Sequence, residues 1–436
     1  MRFVSTRGQA SAASLGTALF DGLAPDGGLY VPDSIEAWSV DEIASLPSRS
    51  LPELGLRVLK PFAAGAIDAA TLSAVVYESL DFPIPLIEIE PGIFALELFH
   101  GPTLAFKDVG ARVMARLMAA LGADVTVLTA TSGDTGSAVA NAFHGIASAR
   151  VVILYPEGRV SPTQEAQLTM FNDDAASNVR AYAVAGSFDD CQKLVKDAFA
   201  DTSLRRQIPL TSANSINVGR LLPQMIYYFQ AVAELRRQSG TTKSPIVCTP
   251  SGNFGNLTAG LFAKRAGAPI ERFVAATNAN DVVPSYLTTG QFKPRASIRT
   301  ISNAMDVGNP SNFERLVWLY KGRLEGAQDD MEGCHYTDDE VRATIRQVHE
   351  RTGYILDPHS AIGYLGITSQ ADRARRAGRP GIFLATAHPA KFPEVVEPVI
   401  GRAIERPRAL TLALERPQRL LRIDATLAAV RGAVGA

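Results

Sequence analysis

The 436-residue chain is about three times a ~150-residue domain, which predicts two or three packed units with substantial cores and excludes a small binding module. Hydrophobic residues make up 46% and charged residues 20%, the balance of a globular protein rather than a disordered or fibrous one. With 43 basic against 44 acidic residues the net charge is −1, so no global field draws the chain to nucleic acid or to an anionic membrane, and any anion must be held by local donors.

Only nine of the basic residues are lysines, leaving arginine as the usual surface cation. The three cysteines, Cys191, Cys248 and Cys334, are odd in number and far apart, which fits reduced thiols better than disulfides or a zinc site, and no metal is expected. Met1 to Phe20 lacks the apolar core of a signal peptide, and no run approaches the ~18 apolar residues of a membrane span. Cytoplasmic residence is the resulting expectation.

Residues 1 to about 90 alternate Leu- and Ala-rich helical patterns with turn signals such as Pro25-Asp26-Gly27-Gly28, and read as an N-terminal helical cap without a catalytic pattern. From Val125 the texture changes. A β-branched apolar run, Val125–Ala130, precedes the turn Thr131–Gly136 and the helical Ser137–His144. The unit recurs as Val151–Tyr155 then Ser161–Phe171, Val179–Val184 then Phe188–Ala200, and Ile246–Thr249 then Asn256–Ala266. Phe273–Thr277 and Ile382–Thr386 are two further strands. This alternation predicts a doubly wound α/β protein of mainly parallel sheets, with ligands beyond the carboxyl ends of the strands. Lys321–Asp339, polar and Gly-containing, is expected to be an exposed connection, and the Leu-, Arg- and Ala-rich tail from about Ala409 one or two terminal helices.

Five segments carry candidate chemistry. His100-Gly101-Pro102-Thr103-Leu104-Ala105-Phe106-Lys107-Asp108 sets a lysine after an apolar stretch, where desolvation lowers an amine's pKa and makes it a usable Schiff-base nucleophile. Thr131-Ser132-Gly133-Asp134-Thr135-Gly136 enters a helix with hydroxyls and N–H groups suited to a carboxylate, or is simply an N-capped turn. Ser212-Ala213-Asn214-Ser215-Ile216-Asn217 with Arg220 offers polar donors and a guanidinium able to fork a phosphate, or is a capped helix with a surface arginine. Ser251-Gly252-Asn253-Phe254-Gly255-Asn256 has the form of a phosphate cradle at a helix N-terminus, yet matches neither a Walker loop nor Gly-x-Gly-x-x-Gly. Thr386-Ala387-His388-Pro389-Ala390-Lys391-Phe392 leaves a hydroxyl at the carboxyl end of a strand.

Taken together and in order, Phe99–Asp108, Thr129–Gly136, Val152–Pro162, Ser212–Asn217, Pro250–Gly255 and Thr386–Phe392 resemble the core segments of the threonine synthase family, fold-type-II pyridoxal-phosphate enzymes with a tryptophan synthase beta-like fold. Gly28–Pro32 is similar to that family's N-terminal region. The resemblance implies pyridoxal 5'-phosphate on Lys107, its phosphate among Gly252, Asn253, Phe254, Gly255 and Asn256, and Thr386 near the pyridine nitrogen. It implies that Ser132, Gly133, Asp134 and Thr135 receive the substrate carboxylate, and that Asn214, Ser215 and Arg220 hold the substrate phosphate. In related enzymes an Asn often occupies the Asp134 position, so a carboxylate among anions requires protonation, a backbone partner or an outward rotamer.

The implied domains are a cap at residues 1–90, a large cofactor-binding α/β domain at 91–124 and 222–436, and a small mobile α/β domain at 125–221. The implied reaction is conversion of O-phosphohomoserine and water to L-threonine and phosphate by a lyase, monomeric or homodimeric, with Lys107 as the base. The alternatives are a serine or threonine dehydratase of the same fold type, which needs no second phosphate site, and a non-catalytic phosphate-binding protein.

Overall fold

The computed structural model describes residues 1–122, 124–368 and 378–435. The chain opens with a two-stranded antiparallel ribbon, β1 (Phe3–Ser5) against β2 (Tyr30–Pro32). Helices Leu51–Ala63 and Ala69–Ser79 follow, the first started by a Ser50–Glu53 capping box and burying Leu54, Val58, Leu59 and Phe62 at helical spacing. β3 (Leu86–Glu90) already pairs antiparallel with β4 (Ile93–Glu97), so the hairpin belongs to the large sheet.

β5 (Val125–Ala130), β6 (Ala149–Pro156), β7 (Val179–Val184) and β8 (Leu210–Thr211) form one parallel sheet. β5 is buried at all six positions, as expected of a strand covered on both faces. β9 (Ile246–Pro250), β10 (Arg272–Thr277), β11 (Met331–His335) and β12 (Gly381–Ala385) join the hairpin in a six-stranded sheet ordered β11-β10-β9-β12-β4-β3, parallel except for β3.

Two expectations are corrected here. Lys321–Asp339 is not a bare connection, since Leu324–Asp330 is helical and β11 lies parallel to β10. Its strand signal is faint because Gly333 sits mid-strand, where a Cβ would lie 2.6 Å from Pro284 Cα. The tail does not belong wholly with the large sheet. β13 (Leu421–Ile423) adds a parallel edge to β7, and helix Leu427–Val434 packs on helix Phe188–Ala200. The smaller sheet therefore reads β13-β7-β6-β5-β8.

Candidate active site

The carboxyl ends of β4 and β12 are laced together. Leu98 N–H donates to Ala385 O at 2.9 Å, Phe106 N–H to Thr386 O at 2.9 Å, and His388 N–H to Leu104 O at 3.0 Å. This lacing delivers Lys107 as the first residue of helix Lys107–Leu121. The next residue, Asp108, is buried and accepts from Thr103 N–H at 2.9 Å and Thr103 Oγ1 at 2.6 Å. Glycine is required at 101, where a Cβ would lie 2.5 Å from Asp108 Oδ2.

The Lys107 side chain is only 13% exposed, with Nζ 4.5 Å from the Phe106 ring centroid and 3.3 Å from Asp134 Oδ2. Burial pushes its amine below the usual lysine range; Asp134 opposes that shift, and Lys391 and Arg220 add to it.

Asp134 starts helix Asp134–Phe143 after β5. Its carboxylate pairs with two lysines, Lys107 at Oδ2 and the fully buried Lys391 at Oδ1, 2.8 Å away, and Oδ1 also accepts from Gln164 Nε2 at 3.2 Å. Burial acts to raise this acid, but the two ammoniums hold it well below the usual carboxylate range. The charge is thus compensated by lysines rather than by protonation or an outward rotamer. Gly133, at φ +134, leaves no room for a side chain, since a Cβ would lie 2.5 Å from Gln164 Cδ. Gly133 and Gly136 N–H both donate to Thr131 Oγ1, at 2.9 and 2.8 Å. Ser132 and Thr135 are partly exposed on the same turn.

The turn after β9 is built differently. Phe254 takes the left-handed conformation at φ 60, and helix Gly255–Arg265 begins without a side-chain cap. Asn256 Oδ1 accepts from Tyr227 Oη at 2.5 Å and Tyr228 Oη at 2.7 Å, while its buried Nδ2 has no partner. Asn253 Oδ1 accepts from Ser311 N–H at 3.2 Å, and a Cβ on Gly252 would lie 2.9 Å from Ala304 O and from Met305 Cα. This turn is therefore shaped against the segment 302–312.

Asn214 accepts a hydrogen bond from Thr129 Oγ1, and Asn312 Nδ2 donates to Ser215 Oγ at 3.3 Å. Arg220 is not a surface residue: it is 3% exposed, its Nη1 donates to Ala213 O at 2.6 Å, and its Nε is buried with no partner. Burial pushes its guanidinium down to about 10. Thr386 is buried one residue past β12.

A cavity of about 740 Å³ is lined by Gly22, Ser212, Asn214, Asn253 and Asp306, among others, and one of about 760 Å³ by Ser132, Arg159, Ser161, Arg299 and Asn303. Lys107 and Lys391 stand outside both linings. The structure thus gathers Lys107, Asp134 and Lys391 at one point, with the 212–217 and 251–256 turns adjoining each other across Ser215, Gly255 and Asn312.

Sequence reasoning gave no role to Lys391, Gln164 or Arg315. Arg315 is fully buried and ties the cap to the site, donating to Tyr30 O at 2.9 Å, Ser215 O at 3.0 Å and Ile216 O at 2.6 Å. The scarcity of lysine marks each of the nine equally, so no local signal separated Lys391 from the others.

Comparison with known proteins gives concordant matches. Residues 80–384 match the family model described as pyridoxal-phosphate dependent enzyme, residues 2–80 that for the threonine synthase N terminus, and residues 360–434 that for the threonine synthase C-terminal region. The threonine synthase of Haemophilus influenzae is 46% identical over 396 residues, covering 90% of each protein. The crystal structure of threonine synthase from Escherichia coli superposes with a TM-score of 0.90 at 40% identity, covering 99% of both chains. That of pyridoxal-phosphate-bound threonine synthase from Brucella melitensis gives 0.92 at 38% identity, covering 100% of this chain and 98% of that one.

Proposed function

Because the chain belongs to the threonine synthases, lyases that use pyridoxal 5'-phosphate, we propose that it converts O-phosphohomoserine and water to threonine and phosphate with Lys107 as the cofactor lysine and base. The observation that carries this reading is an amine only 13% exposed, at the meeting of the two sheets, with its pKa depressed by burial. The residues present fit the cofactor. An uncapped helix N-terminus at Gly255, with the unpartnered Asn256 Nδ2, suits its phosphate, and the Thr386 hydroxyl suits its ring nitrogen. When bound, pyridoxal phosphate supplies an electron sink for carbanions beside the amino-acid nitrogen.

The chain's own residues supply position and proton transfer. Lys107 Nζ takes the proton from the substrate Cα and later returns one. The turn holding Ser132, Gly133, Asp134 and Thr135 receives the substrate carboxylate. Asn214, Ser215 and the open Nε of Arg220 receive its phosphate, and this second anion site favours a phosphorylated substrate over serine or threonine. Movement of the smaller sheet toward the larger would exclude bulk water during turnover. The implied setting is the cytoplasm, as a monomer or homodimer with no nucleic-acid or membrane partner; among the described residues no helix is long and apolar enough to cross a membrane. The test is stoichiometric release of threonine and phosphate from O-phosphohomoserine by the purified, yellow protein. Deamination of serine or threonine without phosphate release would sink the assignment.

A further inference from the structure

Three charged groups meet at the centre of the site, and Lys391 has no task in the function just proposed. Its amine is fully buried, 2.8 Å from Asp134 Oδ1 and 2.9 Å from Thr103 O. The short turn Pro389–Lys391 that carries it is fixed at His388, whose Nδ1 accepts from Ala390 N–H at 3.1 Å. Burying an ammonium is unfavourable unless it is well compensated, and an apolar side chain of similar length would fill the same space. A cation here calls for a reason.

Lys107 supplies one. To act as a base its amine must be neutral, yet a buried carboxylate 3.3 Å away favours the protonated form. Asp134 alone would work against the base. A second ammonium on the same carboxylate cancels much of that pull, because the Asp134–Lys391 pair carries no net charge. We propose that Lys391 is a positioning residue that fixes and neutralises Asp134, freeing the Lys107 nitrogen to lose and regain its proton during turnover. The inference rests on Lys107 being the cofactor lysine and base.

Among the described residues, other charged and titratable groups reach this cluster from neighbouring elements, including Asp357, which lies 2.8 Å from His359 Nδ1. Arg220, from helix Val218–Leu221, repels a proton on Lys107. Asp108, on the Lys107 helix itself, is raised by burial. His359, from helix Pro358–Thr368, acts with the lysines on Asp134, and His388 is pushed by burial down to about 4 and is neutral near neutral pH.

The test uses holoenzyme of the parent chain, Lys391→Met, Asp134→Asn and the double variant. Borohydride reduction with peptide mapping comes first. A label on any lysine but Lys107 overturns the functional assignment itself. With Lys107 labelled, the readout is the pH midpoint of the cofactor's visible band. Lys391→Met moves it upward by about one pH unit or more, and Asp134→Asn moves it downward. The double variant, lacking a neutral pair, returns to within about half a unit of the parent. A midpoint unchanged or lowered in Lys391→Met overturns the inference. So does a double variant that keeps the shift of Lys391→Met. Should Lys391→Met not fold, the double variant is set against Asp134→Asn: a higher midpoint in the double supports the inference, and equal midpoints overturn it.

Discussion

Two turns of similar composition lead from a parallel strand into a helix, one at 131–136 after β5 and one at 251–256 after β9. In the first, the protein consumes much of its own binding capacity. Thr131 takes two backbone N–H groups, and Asp134 is held by two lysines. Neither helix is capped by the side chain of its N-cap residue, but in the second turn no side chain among the described residues takes the part of Thr131, and an amide nitrogen is left unpartnered. A Gly- and Ser-rich turn before a helix is thus a permissive backbone. Which donors remain unspent decides how an outside anion can be held, by part-exposed hydroxyls such as those of Ser132 and Thr135 in the first turn or by the helix start in the second, and that is settled by residues distant in sequence.

The contrast is broken most sharply at Gly252. A Gly252→Val side chain would meet the backbone at 304–305, so the turn must move, and pyridoxal-phosphate affinity should fall by about two orders of magnitude in a protein that still folds. Equilibrium titration of the apo form measures it, and unchanged affinity would remove this turn as the phosphate site. Arg220→Ala comes next. Losing a charge-assisted hydrogen bond should lower kcat/KM for O-phosphohomoserine by about ten- to a hundredfold while the cofactor's visible spectrum stays in place. Intact turnover would release Arg220 from substrate binding.

Thr131→Val addresses the self-satisfied turn. Two buried N–H groups lose their acceptor, which should cost about 1–2 kcal/mol in denaturant unfolding with little change in cofactor affinity. The reverse pattern, full stability with lost cofactor, would erase the distinction between the turns. The smallest effect concerns Asp306, on the segment backing Gly252. Burial, outweighing its hydrogen bonds to Thr300 and Asn278, raises this acid from the usual 3.8 to about 6. Its folded-state pKa exceeds the unfolded one, so its stabilisation is complete below about pH 4 and is lost as pH rises through about 6. Unfolding free energies across that window should fall in the parent and flatten in Asp306→Asn.

The sequence made the doubly wound core legible because its central strands are largely buried and rich in apolar and β-branched residues, broken by few polar ones such as Thr126, Thr129 and Arg180. Val125–Ala130 and Val179–Val184 coincide with β5 and β7 at both ends. Edge strands were less readable. Leu86–Glu90 alternates with acidic residues, and Met331–His335 contains a glycine chosen for contact with Pro284. At the site, the lysine and the turns were visible as local patterns, whereas the compensation of Asp134 was not. Lys391 lies in a proline-flanked turn that resembles surface, and its partner is brought to it only by the packing of one sheet against the other. Arg220 was equally opaque, because nothing local distinguishes a buried guanidinium on a carbonyl from a solvated one.

The strand β13 places Leu421 beside Tyr182, closing about 240 residues of chain at the outer edge of the smaller sheet. During synthesis that edge stays unpaired until Leu421–Ile423 has left the ribosome, while β5, β6 and β7 emerge long before. A product ending ahead of Leu421 would carry every residue assigned above to cofactor and substrate, yet expose the edge of β7 as a template for another chain. Loss of the chain from Leu421 through Val434 should accordingly register first as aggregation during expression rather than as altered chemistry.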